Sequence, residues 1–121
     1  MKMQHNTEIK LEKQGEITIF DIRGELTSFS ETPLNEAYQK ANNQDARRIL
    51  LKLEEDVYIN SGGIALLLRL MGQIKRNNQF VVIACISEHV KKVISMVGLT
   101  EFAKIYDTME AALEAMATEQ Q

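Results

Sequence analysis

Residues 48–76 read RILLKLEEDVYINSGGIALLLRLMGQIKR, and their hydrophobic period changes once along the way. The opening run, Arg48–Leu53, is strongly apolar and too short for three helical turns, which indicates a central strand. After the glycines at 62 and 63 the apolar residues follow helical spacing as far as Lys75, at Ile64, Leu67, Leu68, Met71 and Ile74. A buried strand that leads into an amphipathic helix is typical of α/β proteins.

The segments before this unit predict a hairpin and a helix. Weak alternation from Thr7 to Lys13, a turn at Gln14–Gly15 and a partly alternating stretch over 16–23 indicate two antiparallel strands. Pro33 fits the first position of a helix that extends to Asn42. The buried stripe of that helix is predicted at Leu34, Ala37, Tyr38 and Ala41.

The segments after it repeat the alternation of strand and helix. The wholly apolar run at 80–86 predicts a strand covered on both faces, and Ser87 is placed to cap the next helix. A short strand at 103–106 and a final helix at 109–117, capped by Asp107 or Thr108, complete the order ββαβαβαβα. The third helix is predicted to bury Val90, Val93, Ile94 and Val97. We therefore expect one α/β domain over 7–117, with a mixed, mostly parallel sheet, four helices, and flexible tails at 1–6 and 118–121.

Composition excludes several classes of protein. The chain has 121 residues, 45% of them hydrophobic, and a net charge of −3 with both signs mixed along it. That balance does not favour nucleic-acid binding, and there is no apolar stretch of the roughly 18–20 residues that a membrane span needs. Cys85 lies inside an apolar run and is expected to be a small buried hydrophobe of a reducing compartment. We expect a cytoplasmic protein without direct membrane insertion.

The chemically suggestive place is Asn60-Ser61-Gly62-Gly63, here called the elbow, where a strand turns into a helix. The amino end of a helix favours an anion, so a phosphoryl group on Ser61 would be tolerated there as a charge switch. The alternative is purely structural, because serine is a favoured N-cap and paired glycines permit a tight turn. From the residues alone, the cap is the favoured role of Ser61. The glycines do not match a phosphate-binding loop, which argues against nucleotide binding.

From about Thr7 to Ala115 the sequence resembles the STAS domain of sulphate transporters and anti-sigma factor antagonists. The order and spacing of several short segments carry the resemblance: Arg23-Gly24-Glu25-Leu26, Ile49–Leu53, Val57–Ile64, and Val97-Gly98-Leu99 followed by Phe102. It implies a non-enzymatic module that binds an anti-sigma factor serine kinase and thereby frees a sigma factor. In such bacterial pathways phosphorylation at the elbow ends the binding, and a phosphatase restores it.

The chain departs from the family at the elbow, where the family typically reads Asp-Ser-Ser/Thr-Gly. Gly62 occupies the commoner acceptor position and has no hydroxyl, while Asn60 and Thr27 stand where carboxylates are usual. Ser61 is therefore the phosphorylation candidate, and the alternative is a domain that binds its partner without phosphorylation, such as a subunit of a lipid or anion transporter. We predict Gly62 and Gly63 as the glycines of the elbow, Asn60 and Thr27 as polar neighbours of Ser61, and partner contacts at Asp56, Val57 and Tyr58.

Other candidate residues receive structural interpretations. His5 lies in the polar amino-terminal segment and His89 in the first turn of a helix, and neither has a second ligand at a metal-binding spacing. The acidic run 54–56 is expected to be solvated and to border the partner surface. Phe29, Met71, Met96 and Met109 are expected in the core, Phe29 as a plug beneath its loop. We expect no catalytic residue, metal or cofactor, and the oligomeric state, monomer or weak dimer, stays open.

Overall fold

The computed structural model describes residues 6–85 and 87–118, with the backbone alone at Cys85 and Thr118. The predictions for His5 and the Cys85 thiol lie outside the described residues, as do those for the tails at 1–5 and 119–121. At the borders of the predicted tails, the Asn6 carbonyl accepts a hydrogen bond from the Glu25 amide at 3.2 Å, and Thr118 is the last residue of a helix.

The described residues form six strands and four α-helices. The strands are β1 (Thr7–Gln14), β2 (Ile17–Leu26), β3 (Arg48–Leu53), β4 (Tyr58–Ile59), β5 (Phe80–Cys85) and β6 (Lys104–Tyr106). The helices are α1 (Glu31–Asn43), α2 (Ser61–Arg76), α3 (Glu88–Met96) and α4 (Met109–Thr118). Two short 3₁₀ turns, Ser28–Ser30 and Leu99–Glu101, precede α1 and β6 respectively.

The sheet is mixed, with the strand order β1-β2-β3-β5-β6. β1 and β2 form an antiparallel hairpin. β3, β5 and β6 join the sheet in parallel, because a helix connects each of them to the strand it pairs with. The connection from β3 to β5 contains β4 as well as the helix α2. The far end of β2 pairs in parallel with β4, through Glu25↔Tyr58 and Leu26↔Ile59. This pairing fixes the chain immediately before the elbow.

Helices cover both faces of the sheet. On one face, α1, α2 and α3 bury the larger core against alternate strand residues such as Phe20, Ile22 and Leu51. On the other face, α4 packs Ala112 and Met116 against a smaller cluster that includes Ile17 and Leu50. The apolar side chains of the central strands point to both faces, which explains why these strands read as continuous apolar runs.

Most predicted elements are confirmed, with corrections at their ends. The two-residue strand β4 was not predicted, because a ladder this short leaves no periodicity to detect. α1 begins at Glu31, so Pro33 is the third helical residue and not the first. The predicted stripe of α1 is buried, and the caps at Ser87 and Thr108 are confirmed by hydrogen bonds from the amides of Val90 and Ala111.

Four hydrophobic side chains predicted to be buried are exposed: Leu68, Met96, Val97 and Phe29, of which Phe29 is described with the elbow below. Leu68 lies at the border of the buried arc of α2, which is completed by Leu66 and Leu70. Val97 follows the last residue of α3, and Met96 is 78% exposed on the final turn of that helix. Met71 is buried as predicted, and Met109 is partly buried against the α4-side cluster.

Candidate functional site

The elbow is held by the ends of two strands. The amide of Asn60 donates to the carbonyl of Leu26 at 3.2 Å, which continues the β2–β4 ladder by one bond. The backbone of Asn60 is extended, with φ −114° and ψ −173°, and the helical bonds of α2 begin with Ile64 N to the Asn60 carbonyl at 2.9 Å. The change from strand to helix therefore takes place at a single residue.

Asn60, and not Ser61, is the N-cap of α2. Its Oδ1 accepts a hydrogen bond from the Gly63 amide at 3.0 Å. An N-cap needs an extended backbone and a short side-chain acceptor, and the strand end supplies that backbone at residue 60. The prediction that Ser61 caps the helix is thus wrong, because Ser61 is already the first helical residue.

Ser61 is consequently free of the role that the sequence favoured for it. Its side chain is exposed, and its hydroxyl makes no hydrogen bond with any residue that the structure describes. The first turn of α2 reads Ser-Gly-Gly-Ile and contains no acidic residue. Unpaired amides and the positive end of the helix dipole therefore lie beside this hydroxyl without a competing carboxylate in the same turn.

The two glycines let α2 lie directly on the segment that follows β2. A Cβ at Gly62 would lie 2.7 Å from the Ser28 amide nitrogen, and a Cβ at Gly63 would overlap the Leu26 carbonyl oxygen. Both neighbours are backbone atoms, which cannot swing aside as a side chain can. In this structure position 62 therefore has no room for a side chain.

Thr27 is buried beside this contact and is occupied by a local cap. Its Oγ1 accepts from the Phe29 amide at 3.1 Å, and its own amide donates to Ser30 Oγ at 2.9 Å. This reciprocal capping box closes the Ser28–Ser30 turn. The turn packs against Gly62 through Ser28, so Thr27 is a positioning residue of the elbow.

Phe29 projects away from the protein and is 90% exposed. The expectation of a core plug is wrong because the capping box turns Thr27 and Ser30 inward, which leaves Phe29 on the outer side of the turn. The run of capping residues on both sides of Phe29 was the available signal. An isolated exposed phenylalanine next to the elbow is a candidate contact residue that the sequence interpretation missed.

The three predicted contact residues before the elbow differ in exposure. Tyr58 is 56% exposed and Asp56 is also exposed, whereas Val57 is 5% exposed and belongs to the larger core. The side chains of Asp56 and Tyr58 are therefore available to a partner, whereas that of Val57 packs in the core.

A cluster of four charges lies at the ends of β2 and β3. Lys52 Nζ contacts Glu54 at 2.9 Å, and Arg23 contacts Asp21 at 3.1 Å and Glu54 at 3.7 Å. The pKa of Lys52 is raised, chiefly by the hydrogen bond to Glu54. Partial burial of the ammonium group lowers this pKa, but by less. The hydrogen bond to Asp21 is the main cause of the raised pKa of Arg23. Within the acidic run 54–56, Glu54 thus forms ion pairs with Lys52 and Arg23 and is not simply solvated.

Side chains suited to metal binding do not converge within the part of the chain that the structure describes. No group of three or more His, Cys, Asp or Glu residues there could hold a metal ion, and His89 is exposed on the first turn of α3. None of the helices in the described ranges is long and apolar enough to cross a membrane.

Comparison with known proteins places the chain in a family. Residues 8–112 match the STAS domain, and the chain therefore belongs to the STAS domain family. The predicted family and the α/β fold class are both confirmed.

Solved structures show the same fold. The chain is similar to an anti-sigma factor antagonist from Mycobacterium paratuberculosis, with a TM-score of 0.81, 15% identity, and coverage of 97% of this chain and 99% of that one. For the protein TM1081 of Thermotoga maritima the TM-score is 0.77 at 20% identity, with coverage of 98% and 96%. For the unphosphorylated form of the anti-sigma factor antagonist SpoIIAA of Bacillus, the TM-score is 0.72 at 20% identity, with coverage of 94% and 100%.

Proposed function

We propose that this chain is an anti-sigma factor antagonist-like interaction module. It binds an anti-sigma factor serine kinase in a bacterial, cytoplasmic partner-switching pathway that regulates transcription, and Ser61 accepts the phosphate that ends this binding. The observation that carries the proposal is the exposed Ser61 hydroxyl, which the cap at Asn60 leaves uncommitted at the amino end of α2. The structural likeness to SpoIIAA, whose phosphorylated form is also known, supports it.

Phosphorylation would change the surface and leave the fold in place. A phosphoryl group adds about −1.5 to −2 charges, and the positive end of the α2 dipole favours them. Glycine at 62 and 63 lets the start of α2 lie in backbone contact with Leu26 and Ser28, so the new charge would stand on a closely packed helix end. A partner that docks over Ser61 and Phe29 would then meet a charge at the centre of its contact.

No chemical step by this chain is part of the proposal. The kinase supplies the phosphoryl group and a phosphatase removes it, so the module needs no cofactor of its own. The exposed Phe29 and Tyr58 provide apolar anchors, and aromatic side chains often dominate the affinity of protein interfaces.

The test begins with affinity capture from the native host and mass spectrometry, which identify the kinase and any phosphate on Ser61. Titration calorimetry then compares the captured kinase with the wild-type chain, Ser61→Ala and Ser61→Asp. We expect Ser61→Ala to bind like the wild type and Ser61→Asp to bind at least about tenfold more weakly, a factor that corresponds to about 1.4 kcal/mol. Ser95→Asp adds the same charge on the exposed surface of α3 and should bind normally.

Phe29→Ala completes the experiment. It should weaken binding about tenfold and leave the thermal midpoint unchanged, since Phe29 is exposed. Equal binding by Ser61→Ala and Ser61→Asp would overturn the switch and favour the alternative, a constitutive partner-binding STAS domain such as a transporter subunit.

A further inference from the structure

The first strand forms an open edge of the sheet. Across residues 6–85 and 87–118, β1 pairs with β2 and with no other strand. An edge strand presents a row of unpaired N–H and C=O groups and is a template for the addition of another strand. β1 offers eight residues for such pairing.

The hairpin fixes which backbone groups face outward. Gln14 pairs with Ile17 across a two-residue turn, so this pair is hydrogen-bonded and the pattern alternates from there. At the other end, the bond from the Glu25 amide to the Asn6 carbonyl shows that residue 6 also faces β2. The even-numbered residues of β1 therefore bond to β2, and Thr7, Ile9, Leu11 and Lys13 direct their N–H and C=O groups to solvent.

The two faces of β1 have opposite character. Ile9 and Leu11 are partly buried against the larger core and lie in a groove of about 470 Å³ between β1 and α1. On the other face Glu8, Lys10 and Glu12 are exposed. Their charges alternate with those of the next strands, since Glu8 is opposite Arg23, and Lys10 is opposite Asp21, which is itself opposite Lys52.

We propose that a second copy of this chain pairs with β1 in antiparallel fashion, with a two-fold axis at Ile9. Ile9 then faces Ile9 of the second copy as a hydrogen-bonded pair, flanked by Thr7 opposite Leu11 on either side. Directly opposed residues share a face, so the apolar strip of Ile9 and Leu11 continues across the axis. On the other face Glu8 lies opposite Lys10 of the second copy, twice by symmetry.

Charge and hydrophobicity select this register. A shift of the axis to Lys10 would place Lys10 opposite itself and Glu8 opposite Glu12, and like charges directly opposed are destabilising. A shift to Leu11 keeps the charges complementary but places Lys13 opposite Ile9 on the apolar face. A lysine on an edge strand usually discourages pairing with another strand. Here Lys10 restricts pairing to a strand that places a carboxylate opposite it, as Glu8 of the second copy does.

Sedimentation velocity across a concentration series tests this dimer with the full chain. We expect the wild type to show a reversible monomer–dimer equilibrium. Lys10→Glu and Glu8→Lys each place two like-charged pairs across the axis, and each should weaken dimerisation at least about tenfold. An equimolar mixture of the two variants restores both opposite-charge pairs and should form a heterodimer.

Controls separate the register from a loss of folding. Circular dichroism verifies that each variant is folded, because Lys10 and Glu8 also face Asp21 and Arg23 within their own chain. Glu12→Lys alone should dimerise like the wild type, because residue 12 lies opposite Asn6 in this register and both Glu8–Lys10 pairs remain. Loss of the dimer in that variant, with a heterodimer restored by mixing it with Lys10→Glu, would overturn the Ile9 axis in favour of Leu11. A wild-type chain that stays monomeric at about 1 mM, or Lys10→Glu and Glu8→Lys variants that dimerise like the wild type, would overturn the interface. The outcome is independent of any effect of Ser61 on kinase binding.

Discussion

At the scale of single residues, the elbow depends on the absence of side chains. Gly62 and Gly63 bring α2 against the backbone of Leu26 and Ser28, and Asn60 supplies the cap that would otherwise fall to Ser61. The hydroxyl of Ser61, the one hydroxyl within residues 60–63, therefore has no structural role in the elbow. This is the physical reason for proposing that Ser61 is a regulatory residue.

Gly63→Ala tests this close approach. We expect a loss of about 2–3 kcal/mol in the free energy of unfolding, since the new methyl group would overlap the Leu26 carbonyl oxygen. Gly72→Ala on the same helix is the matched control, because its Cβ would lie 3.5 Å from the nearest atom, the Arg76 side chain. That variant should gain about 0.5–1 kcal/mol from helix propensity. Urea unfolding measures both, and equal stability of the two variants would contradict the packing argument.

At the scale of the elements, adjacent strands are joined by charges as well as by backbone bonds. Asp21 on β2 is almost fully buried, and it faces Lys52 on β3 and contacts Arg23 two residues along its own strand. This cluster occupies the part of the sheet face next to the α4-side core. The strand ends that position β4 and the elbow are thereby held by polar contacts where the helix layer does not supply apolar ones.

Lys52 gives this cluster a pH dependence in the alkaline range. Its pKa is raised above the ordinary 10.5 in the folded state, mainly by the hydrogen bond to Glu54. Its stabilising contribution is therefore complete below pH 10.5 and is lost as the pH rises through the folded-state pKa. Lys52→Met should lower the free energy of unfolding by about 0.5–1 kcal/mol at pH 8. This difference in unfolding free energy between the variant and the wild type should shrink at pH values above about 10.5. Denaturant unfolding at both pH values measures it. In a Glu54→Gln background most of this pH dependence should be absent.

At the scale of the whole molecule, the two helical layers differ in size. Three helices cover one face of the sheet, while α4 covers the smaller cluster on the other face. Across residues 6–85 and 87–118, the sheet between them is buried in its centre and unpaired along the outer side of β1. The same architecture thus supports the elbow at one place and offers an edge to the proposed second copy at another.

Two methionines test how this layering distributes stability. Met116 on α4 is fully buried, so Met116→Ala should lose about 2–4 kcal/mol of unfolding free energy through the cavity left beneath that helix. Met96 on α3 is mostly exposed, and Met96→Ala should change stability by less than about 0.5 kcal/mol. Thermal or urea unfolding compares them. A similar cost at both positions would contradict the assignment of α4 to the smaller core.

The sequence by itself determined the alternation of strands and helices, the family, and the position of the elbow. Those features follow from hydrophobic period and local turn chemistry, which act over a few residues. Only the tertiary structure decided that Asn60 caps α2, that position 62 is closed to a side chain by Ser28, and that Val57 is buried. Each of these depends on where a distant segment lies, since Leu26 and Ser28 are remote in sequence from the glycines they contact. The short strand β4 belongs to the same group, because its pairing with the end of β2 exists only in the folded sheet.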